Sequence, residues 1–291
     1  MSIFDPGNRP FDENGLARHI EQALAVQAPV SSRQNMTYRV IKKLFDPQLV
    51  DADNIPEQPC LFIGNHSLFA LDGMIIGPVM LHELGRFLRP LGDRFLWNSG
   101  TEKRLLDTGA VIGDPQVGSA LMEHGEDLLV FPGGAHEATK TAAQKYSLQW
   151  KERYGFVRLA AQHGYNILPF ALIGPDEFYG HLLEGEDLPA TTLGKLLTKL
   201  GLLSEDTRAD MLPPIPVGAL GSLLPKPQRC YLQFGEPVNT SEHAGKKLSK
   251  KQLQSIRNQV SGQIEKMLAE LLLLREQNRG KDGLLRRLLT L

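Results

Sequence analysis

Three short apolar runs constrain this chain most: PCLFIGN (59–65), LLVFPGG (128–134) and ILPFALIG (167–174). Each is too short for a buried helix. Each stops at a glycine or a polar residue, as a buried strand does when it leaves a sheet. RFLRPL (86–91), GAVIG (109–113) and RCYLQFGEPV (229–238) read as further strands. Helical patterns lie between and around them. DPQVGSALMEHGED (114–127) opens with Asp114 as N-cap and Pro115 at the first helical position, then stops at Gly125. WKERYGFVRLAAQHGYN (150–166) has Gly164 near its end, and apolar residues recur at helical spacing in 16–26, 36–45 and 250–276. Strands alternating with helices predict an α/β fold: one domain with a central, mostly parallel or mixed sheet flanked by helices, plus N-terminal and C-terminal helices. The expected division is an N-terminal helical segment at 1–50, an α/β core at 51–245, and a C-terminal amphipathic helix with its tail at 246–291. The Leu-, Gly- and Pro-rich stretch 191–227 is too apolar for a solvated linker and reads as an irregular cover or a lipid-facing surface.

Composition narrows the partners. A formal charge of −1 over 291 residues offers no global field for nucleic acid. The two cysteines, Cys60 and Cys230, sit in apolar runs far apart, which favours a reducing, cytoplasmic setting over a disulfide. Residues 1–15 lack the pattern of a secretory signal. No window holds the roughly 18 uninterrupted apolar residues of a spanning helix; the nearest, 68–81, contains Asp72, Gly73, Gly77 and Pro78.

Open α/β sheets gather ligands beyond the carboxyl ends of their strands. His66, Gly133 and Gly174 all follow such ends, which groups their motifs into one site. In FIGNHSLFALDG, His66 precedes Asp72 by six residues. A neutral histidine can take a proton from an alcohol when a carboxylate holds its ring and stabilises the imidazolium; the plainer reading is a helix-capping His66 and a solvated Asp72. In FPGGAHEA (131–138), two glycines let backbone N–H groups approach an oxyanion or phosphate, and Glu137 can orient a basic or hydroxyl group; the plainer reading is a strand-to-helix turn. His66, Asp72, His82, Glu83 and His136 have metal-ligand chemistry but not metal-ligand spacing, so no metal is expected. No G-x-S-x-G elbow and no Gly-rich nucleotide loop of the G-x-G-x-x-G or G-x-x-x-x-G-K type is present.

The order GNHSLFALDG, GAVIG, LLVFPGGAHEA, ILPFALIG, within about 110 residues, resembles the glycerolipid acyltransferase superfamily, which includes the lysophosphatidic acid acyltransferases. The FPGG-x-x-EA form, the His-to-Asp step and the later FGEPV are similar to its diacylglycerol and monoacylglycerol acyltransferase-like branch. The resemblance covers about 59–238. It implies an O-acyltransferase without a cofactor, in which His66 is the general base, Asp72 holds its ring, and the acceptor alkoxide attacks the thioester of acyl-CoA or acyl carrier protein with no acyl-enzyme. It further implies that Asn65, Gly133, Gly134 and Glu137 shape the substrate site and that backbone N–H groups meet the oxyanion.

Two departures bear on the acceptor. Where lysophosphatidate-type members carry an arginine in the second block, this chain has Gly113 or Asp114, and where they have F-P-E-G, Gly133 replaces the glutamate. Both favour a neutral acceptor, a glyceride or another long-chain alcohol. Arg86, Arg89, Arg94, Lys103 and Arg104 remain as cations for a phosphate or for the donor's nucleotide. A lipid acceptor implies a cytoplasmic protein with peripheral membrane contact through 36–45, 191–203 or the tail 283–291. The alternatives are a thioesterase or hydrolase using the same pair on water, and a non-catalytic lipid-binding protein of this fold.

Overall fold

The structure, a computed structural model, describes residues 13–29, 32–98, 100–191, 195, 212 and 214–290. Seven strands form the central sheet: β1 (Gln48–Val50), β2 (Cys60–Gly64), β3 (Leu88–Gly92), β4 (Val111–Ile112), β5 (Asp127–Val130), β6 (Asn166–Ile173) and β9 (Tyr231–Phe234). Their order is β1-β9-β6-β2-β5-β3-β4. The five strands from β6 to β4 are parallel, whereas β9 runs against β6 and β1 follows β9. The mixed sheet agrees with the sequence reading. β7 (Gly180–Leu183) and β8 (Ile215–Val217) pair antiparallel in a small second sheet.

Side-chain alternation explains why the central strands are apolar on both faces. Leu61, Ile63, Leu128 and Ile167 point to one layer; Cys60, Phe62, Leu129, Leu168 and Phe170 point to the other. The first layer is closed by α1 (Glu13–Ala25), α5 (Pro115–Glu123), α7 (Gly155–His163) and α8 (Lys250–Asn278), and the second by α2 (Ser32–Phe45) and α3 (Asp72–Leu84). The shorter helices are α4 (Glu102–Asp107), α6 (Ala135–Ala138) and α9 (Leu284–Leu289).

Local signals mostly landed where sequence placed them. Asp114 caps α5 by accepting from Gln116 N, with Pro115 at the first helical position. Gly164 ends α7 in the left-handed region, at φ 66°. The helix expected from 150 starts only at Gly155, because Trp150 is buried against Phe156 and its carbonyl turns the chain through Arg153 N. The tail forms α9. The first twelve residues and most of 191–213 lie outside the described residues.

Candidate active site

The site is built where β2 and β5 end. Gly64 must be a glycine, since a Cβ there would lie 2.2 Å from the Phe170 ring. After it, Asn65 crosses to β6: its amide donates to Leu172 O and accepts from Leu172 N, both at 2.9 Å. Its whole amide is therefore committed to the sheet end rather than to an open cleft.

The chain from Ser67 to Asp72 folds back tightly. Phe69 and Ala70 both take φ 57°, a left-handed conformation costly for residues with a Cβ. This turn returns Asp72 to His66, with His66 Nδ1 to Asp72 Oδ2 at 2.7 Å. The same carboxylate accepts from Ser67 N at 2.5 Å and Gly73 N at 2.7 Å, and Asp72 N donates to Ser67 Oγ. Asp72 is 1 % exposed and is not a solvated helix residue. A proton on Nδ1 donates to Asp72 and leaves the Nε2 lone pair free. Nε2 makes no hydrogen bond to any described residue, and the ring lies stacked on Phe131 at 4.2 Å between centroids.

Beneath the ring lies a layer of buried charge that sequence reading only half anticipated. Glu137 is fully buried; its Oε2 accepts from His66 N at 2.9 Å and its Oε1 from Gln149 N at 2.7 Å. Lys140 Nζ donates to His66 O at 2.7 Å and pairs with Asp176 at 2.7 Å. Asp176 also accepts from Leu68 N and Tyr146 N. Three charged side chains thus grip the backbone from His66 to Leu68. Glu137 lies in the motif that sequence singled out, but it acts on His66's backbone rather than facing an open space. Lys140 and Asp176 went unnoticed, because a lone lysine and a lone aspartate 36 residues apart carry no sequence pattern.

Charge shapes the proton affinities. Burial disfavours the His66 imidazolium, but Asp72 outweighs it and Glu137 adds to it, so the ring titrates above its ordinary value; Lys140 opposes the rise. Burial also raises Glu137, against the N–H bonds from Gln149 and His66 and the charge of Lys140.

The double glycine has two separate reasons. A Cβ on Gly133 would lie 2.1 Å from Glu137 Cδ, so Gly133 makes room for that side chain. Gly134 takes φ 52°, ψ −138° and gives its N–H to Phe131 O. That N–H is therefore committed within the turn. Four of the five cations weighed as phosphate ligands have acidic neighbours: Arg86 forks onto Asp127, Arg89 is fully buried with Glu126 nearby, Arg94 pairs with Asp114, and Lys103 pairs with Asp107; Arg104 is exposed. No group of three or more potential metal ligands occurs among the described residues.

An α/β sheet ending in a histidine–carboxylate pair, next to a glycine turn with a buried glutamate, defines a class. Residues 47–173 match the family model described as Acyltransferase, in agreement with the resemblance to the glycerolipid acyltransferase superfamily. It is 27% identical over 241 residues to phytyl ester synthase 1, chloroplastic, of Arabidopsis thaliana, covering 77% of this chain and 34% of that protein. It is 26% identical over 118 residues to the DGAT1/2-independent enzyme synthesizing storage lipids of Gallus gallus, covering 40% of this chain and 35% of that one. The chain thus spans about a third of the length of these relatives. Among solved structures, 1-acyl-sn-glycerophosphate (LPA) acyltransferase PlsC from Thermotoga maritima aligns with a TM-score of 0.44 and 14% identity, over 88% of this chain and 87% of that one.

Proposed function

We propose that this protein is an O-acyltransferase that moves a fatty acyl group from a thioester, acyl-CoA or acyl carrier protein, to a lipid hydroxyl. The observation that carries the reading is the His66–Asp72 pair: one ring nitrogen held at 2.7 Å, the other unbonded among the described residues, on a backbone clamped by buried charge. In the reaction, Nε2 takes the hydroxyl proton as the acceptor oxygen bonds to the thioester carbonyl carbon. Asp72 stabilises the imidazolium. Collapse of the tetrahedral intermediate breaks the C–S bond, and the imidazolium returns its proton to the thiolate. Ester and thiol leave, and His66 is neutral again.

A neutral acceptor fits better than a phosphate ester. Gly113 or Asp114 stands where an arginine would meet phosphate, and a Cβ on Gly113 would lie 2.9 Å from Gly92 O. Arg94 is paired with Asp114 beside it. The name phytyl ester synthase, that of a relative, supports a long-chain alcohol. No helix among the described residues is long and apolar enough to cross a membrane, so a lipid acceptor would be met at a bilayer surface.

The test is product identification by mass after incubating purified protein with labelled acyl-CoA or acyl carrier protein and a panel of lipid alcohols, with and without phosphate. Ester of a neutral alcohol is expected. Free fatty acid alone, dependent on His66, would replace the reading with a thioesterase. Tight acyl binding without turnover would replace it with a carrier.

A further inference from the structure

The edge of the sheet that carries His66 collects distant parts of the chain. β9 runs against β6 with Tyr231 opposite Ile173, so β9 begins where β6 ends. Cys230 N donates to Phe45 O at 2.8 Å, which brings the last turn of α2 to that edge. Arg229 pairs with Asp46 at 3.0 Å and Asp282 at 3.1 Å, which brings the start of α9 beside it. On the other flank, the Tyr179 hydroxyl donates to Leu223 O, and the Tyr179 ring meets Phe69, three residues after His66, at 6.2 Å.

These converging elements expose apolar side chains. Leu220, Leu223 and Leu224 are 85%, 76% and 70% exposed in one short turn, and Leu284, Leu285 and Leu288 are exposed on α9. Leu44, at the end of α2, and Met74, just after Asp72, are exposed as well. The leucine turn is a built object. Gly218 N donates to Ser222 O at 2.6 Å and Ala219 N to Leu224 O at 2.8 Å. A Cβ on Gly218 would lie 1.9 Å from Leu224 O, and Leu220 takes φ 54°, ψ 32°. A backbone strained to hold leucines in water indicates a use for them.

Charge identifies what covers them. The acids at this edge, Asp46, Asp282 and Glu177, are paired with Arg229 or Arg275. Lys43, Lys281 and Arg287 are exposed among the leucines. Apolar tips ringed by cations, with local acids neutralised, match the interface of an anionic bilayer.

We infer that this edge docks on an anionic lipid surface, with the 219–224 turn inserting and α9 lying alongside, so that the His66 site opens toward the bilayer. Lipid as the occupant accords with the acyltransferase reading and extends it. The test is co-sedimentation with vesicles of phosphatidylcholine alone and of phosphatidylcholine mixed with phosphatidylglycerol. Wild type should bind the anionic vesicles at least about tenfold more tightly. Leu220→Asp, Leu223→Asp and Leu224→Asp together should weaken that binding at least about tenfold, with an unchanged melting temperature. A Leu223→Trp variant, which needs no charge in the turn, should shift its emission to the blue on anionic vesicles. His66→Ala should bind like wild type, and wild-type protein that docks but forms no ester would uphold this inference while ending the acyltransferase reading. Wild type left in the supernatant with both vesicles, a triple variant that binds unchanged, or an unshifted Trp emission would overturn it. So would a dimer by light scattering that the triple variant makes monomeric, which would assign the leucines to a second copy.

Discussion

Two buried histidines show how one side chain serves two purposes. His19, on α1, is fully buried; its Nε2 accepts from Ile112 N at 3.0 Å, and its ring meets Trp97 edge-on at 4.9 Å. Its other nitrogen lies 3.6 Å from Glu102. Burial holds its proton affinity down, although Glu102 opposes this. At His66 the carboxylate sits 2.7 Å from Nδ1, proton affinity is up, and Nε2 bonds to none of the described residues. What separates His19 from His66, the proposed general base, is which nitrogen the fold has already used.

The sharpest way to break the comparison is His66→Ala. Turnover should fall about 10³-fold, the usual weight of a positioned general base, with far-UV spectra unchanged, while His19→Ala should keep turnover per folded molecule. Equal turnover in the two variants would dissolve the distinction. Asp72→Asn should lower turnover about 10²-fold through loss of ring orientation and of imidazolium stabilisation. With the negative charge gone the ring titrates lower, so the acid limb of the pH–rate profile should move to lower pH. Lys140→Met leaves Asp176 buried without its counterion and should cost about 3–5 kcal/mol in denaturant unfolding. His19→Ala orphans Ile112 N and should cost about 1–3 kcal/mol by the same measure.

The smallest effect is in the pH dependence of stability, and its sign should be opposite at the two histidines. His66 titrates higher in the folded state, so it binds more protons when folded. Its contribution is full below the ordinary histidine value and is lost as pH rises through the folded one. His19 titrates lower when folded, so its contribution is full above the ordinary value and is lost as pH falls below it. Melting temperatures of wild type and each variant across that pH range should diverge in opposite directions.

Much of this was legible in sequence wherever the signal was local. PCLFIGN, LLVFPGG and ILPFALIG became β2, β5 and β6, and Asp114–Pro115 opened α5 as spacing required. The spacing of His66 and Asp72 was visible too, because one turn of chain joins them. What stayed hidden depends on distant contacts. Lys140 and Asp176 meet only when the loops after β5 and β6 converge. Arg89 reads as a surface cation, yet it is buried where Gly109 and Ala23 offer it carbonyls. Glycine at 133 advertised an open approach, whereas the space it frees is filled from within by Glu137.

That last feature bears on how such sites diversify. A glutamate at 133 and one at 137 compete for the same volume, since even a methyl at 133 would overlap the side chain at 137. Introducing the first while keeping the second should damage the protein, and removing the second alone should strip His66 N of its acceptor. In this chain a change from FPGG to FPEG therefore needs a matching change at 137.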